Sequence, residues 1–247
     1  MAPLASSFRI YCISESGSAR FERAKARIES LGAEFVHVPA IRPTVMSPAY
    51  EGAEMRRSWG CDMKLAELGC FLAHRSAWQS IVAQERGPVV VVEDDIGFKP
   101  EAAAAIRSVV AKMPRADFVS LYSDWQRHLL RSIEVGGGVR IGIPSSTGNT
   151  TVAYAIGPEG ARALLKGSET ITRPVDGYLV RGWVHGVRGL LCWPFPCLHD
   201  DGGKSIIGAR ISPPAEGFGK LVRVCSALRD STLKRLHTLA CLARSFP

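Results

Sequence analysis

What this 247-residue chain lacks narrows its function before any motif is considered. No segment approaches the run of about 20 apolar residues that a membrane-spanning helix needs. Residues 1–7 have no cationic stretch leading into an apolar one, and residues 8–13 are too short to form a signal core, so the expectation is a cytoplasmic protein. No Gly-x-Gly-x-x-Gly follows the first strand-like segment, and neither a Walker sequence nor a Gly-x-Ser-x-Gly elbow occurs. Dinucleotide, P-loop and serine-hydrolase chemistry therefore lack their hardware. Internal repeats and low-complexity tracts are absent as well. Acid is in short supply, with 23 Asp and Glu against 31 Lys and Arg, a net charge of +8 that suits an anionic partner such as nucleic acid, a phosphorylated sugar or an acidic lipid. The seven cysteines are odd in number and form no disulfide framework, which favours a reducing compartment. Cys61 with Cys70, and Cys192, Cys197 and His199, match no standard zinc spacing.

What is present reads as an α/β protein. With 46% hydrophobic residues the chain has material for one large core or two small ones. Residues 8–13 are strand formers, and Phe21, Ala24, Ile28 and Leu31 follow at helical spacing between a Ser18 cap and Gly32. Residues 34–38 complete a β-α-β opening. Residues 42–63, with Pro43, Pro48 and Gly52, predict a loop that folds over a site. A helix is expected over 65–85, carrying Phe71, His74, Trp78 and Ile81 on one stripe. Next come a doubly buried strand at 89–92, an Ala-rich helix over 100–113, a strand at 117–122, a hairpin over 128–143 and a strand at 150–156 leading into a helix opened by Pro158. From Lys220 onward, Leu221, Cys225, Leu228, Leu236 and Leu239 share one helical face, the pattern of a basic amphipathic helix that lies on an anionic membrane or packs on a core.

Chemistry concentrates in two acidic groups. Glu93-Asp94-Asp95 leaves the buried strand at its carboxyl end, where ligands of parallel sheets gather. Clustered carboxylates raise one another's pKa unless a cation compensates them, and Mg²⁺ or Mn²⁺ held by one or two carboxylates and bridged to substrate phosphates is the economical solution. His199-Asp200-Asp201 offers further oxygen and imidazole ligands, and Asp176 in Pro174-Val-Asp is placed as a general base or a helix cap.

The stretch Ala66-Glu-Leu-Gly-Cys-Phe-Leu-Ala-His-Arg-Ser-Ala-Trp78, followed by Val89-Val-Val-Val-Glu-Asp-Asp-Ile96, resembles the signature of glycosyltransferase family 25. Arg20, Leu31-Gly-Ala-Glu-Phe35, Thr151-Val-Ala-Tyr-Ala-Ile156 and Pro174-Val-Asp176 extend the likeness to roughly residues 8–208. The resemblance implies a GT-A-like α/β fold, with a mixed, mostly parallel sheet flanked by helices, over residues 1–215, and a helical tail over 216–247. It implies an inverting, metal-dependent transfer of galactose or another hexose from a nucleotide sugar, a UDP-sugar foremost, to a lipid-linked oligosaccharide of the lipopolysaccharide core. Residue by residue, the resemblance implies that Glu93 and Asp95 flank the motif that holds Mn²⁺ or Mg²⁺ and that Asp94 contacts the donor; the ligand chemistry of the residues themselves adds His199 to the metal set. Arg20, Gly69, Cys70 and His74 would line the donor site, and Asp176 would be the base. No nucleic-acid partner is implied, and membrane contact would be peripheral, at the inner face of the inner membrane. Ala73 stands where the family usually has Ser, and Ala40-Ile-Arg-Pro43 replaces its Ala-Val-Asp-Gly, placing cationic Arg42 near the nucleotide. Alternatives from other classes are a two-metal phosphodiesterase or nucleotidyltransferase using Glu93, Asp94 and Asp95 with Asp200 and Asp201, and a basic module binding nucleic acid or anionic lipid.

Overall fold

The computed structural model describes residues 8–124, 128–146, 151–200 and 217–244. Strand β1 (Arg9–Ser14), helix α1 (Ala19–Ser30) and strand β2 (Glu34–Pro39) form the opening unit. Ser18 starts α1 by accepting from the Phe21 amide, and Gly32 ends it at φ +68°, a conformation that suits glycine. Between β2 and helix α3 (Leu65–Gln84), part of the expected loop is helical: α2 (Gly52–Trp59) is opened by the Glu51 carboxylate on the Ala53 amide and closed by Gly60 at φ +73°. Its single buried anchor, Met55, is too little apolar signal to show a period in sequence.

Strand β3 (Val89–Glu93) is followed by β4 (Ile96–Phe98), α4 (Ala102–Lys112), β5 (Phe118–Ser120) and the hairpin β6 (Leu129–Gly136) and β7 (Val139–Pro144). The chain continues through β8 (Ala153–Ile156), α5 (Pro158–Gly167), α6 (Val175–Leu179), α7 (Gly182–His185), β9 (Gly189–Trp193), β10 (Cys197–His199) and α8 (Gly217–Ala243). Eight strands form one sheet in the order β2-β1-β3-β8-β5-β9-β7-β6, while β4 and β10 form a separate two-stranded ribbon.

The large sheet is mixed and flanked by helices, as expected, with a smaller parallel share than the strand pattern suggests. Among the described residues β1 pairs parallel with β2 and β3, and β5 with β9; the other pairings, β3·β8, β5·β8, β7·β9 and β6·β7, are antiparallel. The difference lies in β8, which slots between β3 and β5 running against both. A fully buried strand carries no mark of its direction, so sequence cannot tell the two arrangements apart.

The period of two along β1 and β3 divides the core. Ile10, Cys12, Val90 and Val92 face α1 and α4, whereas Tyr11, Ile13, Val89 and Val91 face α3 and α5. On the second side Gly69 lets the chain before Pro43 lie against α3, since a β-carbon there would stand 2.1 Å from the Ile41 carbonyl oxygen.

Helix α8 docks with its polar side inward. Leu221, Val224, Leu228, Leu236 and Leu239 are exposed, while Ser226 meets Ser58 of α2 and Cys241 reaches the core. Asp230 receives Arg173, at 3.3 Å, and Arg181, at 3.0 Å, two arginines that are 9% and 8% exposed. Glu54 of α2 binds the same two arginines and Arg229 of α8. The apolar face read from sequence is thus real, but it is not the face that packs. Removing Asp230 leaves two buried guanidinium groups with less compensation, so Asp230→Ala is expected to destabilise the chain by about 3 kcal/mol. Leu228→Ser should change stability by less than about 0.5 kcal/mol. Urea unfolding of both variants checks this; a larger loss from Leu228→Ser would show that the outward face is the packed one.

Candidate active site

Strand β3 is buried through Val92 and releases Glu93, Asp94 and Asp95 at its carboxyl end, at the foot of a cleft of about 360 Å³. The cleft walls come from the end of β1 and the start of α1 (Ser14, Ser18, Arg20), from the 40–43 segment, and from the first turns of α3 (Gly69, Cys70, Ala73). Three expectations meet here: the acidic trio, Arg20, and the Gly69–Cys70 wall.

The carboxylates have different partners. Glu93 is held from behind, because Thr151 donates to its Oε1 and His74 Nε2 lies 3.4 Å from the same oxygen. His74 is completely buried; its Nδ1 is 2.9 Å from Tyr154 Oη, which also accepts from Trp78 Nε1 at 2.9 Å. Placing the imidazole proton on Nε2 satisfies the whole chain, with Trp78 donating to Tyr154, Tyr154 to His74, and His74 to Glu93. Burial alone would raise the Glu93 pKa, but hydrogen bonds from His74 and Thr151 outweigh it and leave the carboxyl below its ordinary value. His74 therefore stands one layer behind the cleft and is no part of its lining, a correction to its expected place on the donor wall. The physical reason is the helical stripe itself, which buries His74 with Phe71, Trp78 and Ile81.

Asp94 and Asp95 are less fully compensated. Burial raises both pKa values, with Asp95 and Glu93 adding to the effect on Asp94, and Glu93 adding to that on Asp95. Arg20 opposes the rise, lying 3.5 Å from Asp94, where it also acts as a hydrogen-bond donor, and 4.0 Å from Asp95. His199 Nε2 lies 3.2 Å from Asp95 Oδ2, and the other Asp95 oxygen, Oδ1, is buried with no hydrogen-bond partner.

The β4–β10 ribbon accounts for the meeting of His199 with Asp95, which are 104 residues apart. His199 sits opposite Ile96 in the antiparallel register, and the Asp200 amide donates to the Asp95 carbonyl at 2.8 Å. The His199 ring also lies 6.0 Å from Tyr122.

A raised, desolvated carboxylate with an orphan oxygen beside an imidazole is a donor set that fits a divalent cation. The fit concerns Asp95 and His199. Glu93, expected as a third ligand, turns instead toward Cys70 and His74, whose ligating atoms lie within 4.8 Å of its own. That second group is a poor metal site. Burial holds the Cys70 thiol well above its ordinary pKa, and both ring nitrogens of His74 are engaged.

Elsewhere, Asp200 binds Arg27 at 2.7 Å, and Asp201 lies outside the described residues. Arg42 lines the cleft and is bound to Glu15. Asp176 is in the first turn of α6, its Oδ1 accepting from the Gly177 amide at 2.7 Å. It lines a neighbouring hollow rather than the cleft. Sequence reasoning passed over Thr151, Tyr154 and Trp78 as functional residues. Their signal was available in hindsight, since a buried Tyr and Trp need polar partners and a buried His supplies one.

Residues 8–179 match the family model described as "Glycosyltransferase family 25 (LPS biosynthesis protein)". Relatives include a glycosyltransferase 25 family member of Anopheles gambiae, 27% identical over 187 residues that cover 69% of this chain and 31% of that protein. Procollagen galactosyltransferase 2 of Mus musculus is 29% identical over 46% of this chain and 19% of its own length. The mouse inactive glycosyltransferase 25 family member 3 is 30% identical over 49% and 21%. This chain spans less than a third of the length of the curated relatives it matches first. Among solved structures, a glycosyltransferase involved in glycosylation of the major capsid of PBCV-1 aligns with 93% of this chain and 99% of its own, at a TM-score of 0.44 and 10% identity. The family match runs from the first strand to the end of α6 and takes in Arg20, the acidic trio and Asp176, so the chain belongs to glycosyltransferase family 25.

Proposed function

We propose that this chain is a metal-dependent glycosyltransferase. It moves galactose or another hexose from a nucleotide diphosphate sugar, with uridine as the expected base, to a core saccharide of lipopolysaccharide or lipooligosaccharide. The observation that supports this best is the Asp95 carboxylate, desolvated at the foot of the cleft with one oxygen against His199 and the other without a partner. Family membership alone does not decide activity, since the mouse relative, inactive glycosyltransferase 25 family member 3, is named as inactive.

In this reading Asp95 and His199, with Asp94 beside them, would hold Mn²⁺ or Mg²⁺, which supplies Lewis-acid stabilisation of the departing diphosphate when bound. Arg20, close to both aspartates, adds positive charge on the donor side. The N-terminus of α1 opens onto the same cleft, so its dipole adds to that field. Asp94 meets the donor sugar or ribose. Glu93, clamped by Thr151 and His74, fixes the turn that aims Asp94 and Asp95. Asp176, on α6, is the candidate base for the acceptor hydroxyl, which attacks the anomeric carbon from the face opposite the leaving group and inverts that centre.

Among the described residues no helix is long and apolar enough to cross a membrane. The outward face of α8 suits peripheral contact instead. It carries five exposed aliphatic side chains, accompanied by exposed Lys220 and Arg235, while the acid Asp230 points inward. That pairing of apolar surface with cations matches an anionic bilayer, where a lipid-linked acceptor would be found.

Asp95→Ala is expected to abolish the thermal shift that Mn²⁺ with UDP produces in the parent and to lower turnover about 100-fold or more. Because it removes a desolvated, repelled carboxylate, it should leave the melting temperature of the ligand-free protein unchanged or raised. A Mn²⁺-dependent shift of parental size in the variant would refute the assignment. Gly69→Ala must displace the backbone at Ile41, so a loss of about 1–3 kcal/mol in stability and a raised donor KM are expected from calorimetry and kinetics. For the tail, co-sedimentation with phosphatidylglycerol vesicles should fall in Leu228→Ser/Leu239→Ser and in high salt; equal binding to neutral vesicles would count against the electrostatic part.

A further inference from the structure

The charged groups that line the cleft differ in exposure. Glu93, Asp94, Asp95 and Arg20 are enclosed, with side chains between 16% and 25% exposed. Arg42 and Glu15 form an open pair, Nη2 to Oε2 at 2.5 Å, with side chains 65% and 51% exposed. Glu15 comes from the turn between β1 and α1, where its carbonyl accepts from the Ser18 amide at 3.2 Å, and Arg42 comes from the segment after β2. The backbone on either side of Arg42 is fixed. Ala40 donates its amide to the Ser14 carbonyl at 2.9 Å, and the Ile41 carbonyl and Pro43 ring lie against Gly69 of α3. A mostly exposed guanidinium on an anchored backbone can turn from one anion to another without moving the wall that carries it.

Charge gives that freedom a use. Among the described residues the cleft is lined by four carboxylates, Glu15, Glu93, Asp94 and Asp95, and by two guanidinium groups, Arg20 and Arg42. A divalent cation at Asp95 would offset the acid, but an anionic ligand entering beside it still needs a protein cation aimed at it. Arg20 is engaged with Asp94 and Asp95, so Arg42 is the group that can be redirected. Exposed ion pairs hold weakly in water, and giving up Glu15 costs little; a guanidinium meets a phosphate or carboxylate through paired, charge-assisted hydrogen bonds. The Glu15 carboxylate thus takes, on Arg42, the place that a ligand oxyanion would fill.

We propose that Arg42 is a donor-binding residue that exchanges the Glu15 carboxylate for an oxyanion of the donor, carried on its diphosphate or on an acidic sugar. The inference rests on the transferase reading, because it takes the cleft as the donor site. Uridine, UDP, UDP-glucose and UDP-glucuronate are titrated with Mn²⁺ into the full chain and followed by calorimetry. Arg42→Gln should weaken UDP binding about tenfold, the worth of one charge-assisted hydrogen bond, and leave uridine binding at its parental value. A loss confined to UDP-glucuronate would support the exchange equally and put the oxyanion on the sugar. Glu15→Gln should tighten binding of the same ligand about threefold by freeing the guanidinium, and that gain should vanish in Arg42→Gln/Glu15→Gln. Because the pair is exposed, all three variants should keep the parental melting temperature. Unchanged affinity for every ligand in Arg42→Gln, an equal loss for uridine, or the same gain from Glu15→Gln with and without Arg42 would overturn the exchange while leaving the transferase reading intact. A parent that binds none of the four ligands would overturn the transferase reading and this inference with it.

Discussion

The contact of His199 with Asp95 is the constraint on which the candidate site depends. It exists because β10 returns antiparallel to β4, the short strand that begins one residue after Asp95, and because the Asp200 amide ties down the Asp95 carbonyl. Within that ribbon the imidazole reaches one carboxylate oxygen and leaves the other buried and unsatisfied. A buried, unpaired carboxylate oxygen is expensive, and in a folded domain such a group persists where a ligand compensates it. The instability of this corner and its proposed affinity for a cation are two descriptions of the same arrangement.

Rigidity comes from the layer behind. Trp78, Tyr154, His74, Glu93 and Thr151 form one proton-ordered chain from the core to the edge of the cleft, joining α3 to β8 and β3. Its members are satisfied, so it can hold the turn after β3 without competing for a cation. Two acidic positions, two residues apart, thus have opposite environments: burial is outweighed by hydrogen bonds at Glu93 but not at Asp95. The difference follows from their neighbours, Thr151 and His74 at Glu93 and the β4–β10 ribbon at Asp95.

The tail shows how charge can reverse the usual logic of an amphipathic helix. The arginines of the α6–α7 region would be costly to bury alone, and α8 supplies Asp230 and α2 supplies Glu54 to hold them. The leucine stripe is then left facing outward. One set of ion pairs consequently orients the outer surface of α8 and shapes the hollow beside Asp176.

Several features were legible in the residues themselves. The strand and helix alternation, the Ser18 cap, the Gly32 stop, the buried strand ending in three acids and the leucine stripe of the tail are local, and local sterics and periodicity dictate them. The likeness to a known family also drew attention to Arg20, the Gly69–Cys70 wall and Asp176. Short α2, with one buried anchor, and the direction of β8 were not legible, because neither leaves a periodic trace. Nor were the separate duties of Glu93 and Asp95, the retreat of His74 behind the wall, or the inward face of α8. Each depends on partners 19 to 175 residues away, as His74–Glu93 and Arg229–Glu54 illustrate. The chain order alone thus determined which groups were available at each turn. Only packing decided which of them met, because desolvation and hydrogen bonding act on neighbours in space.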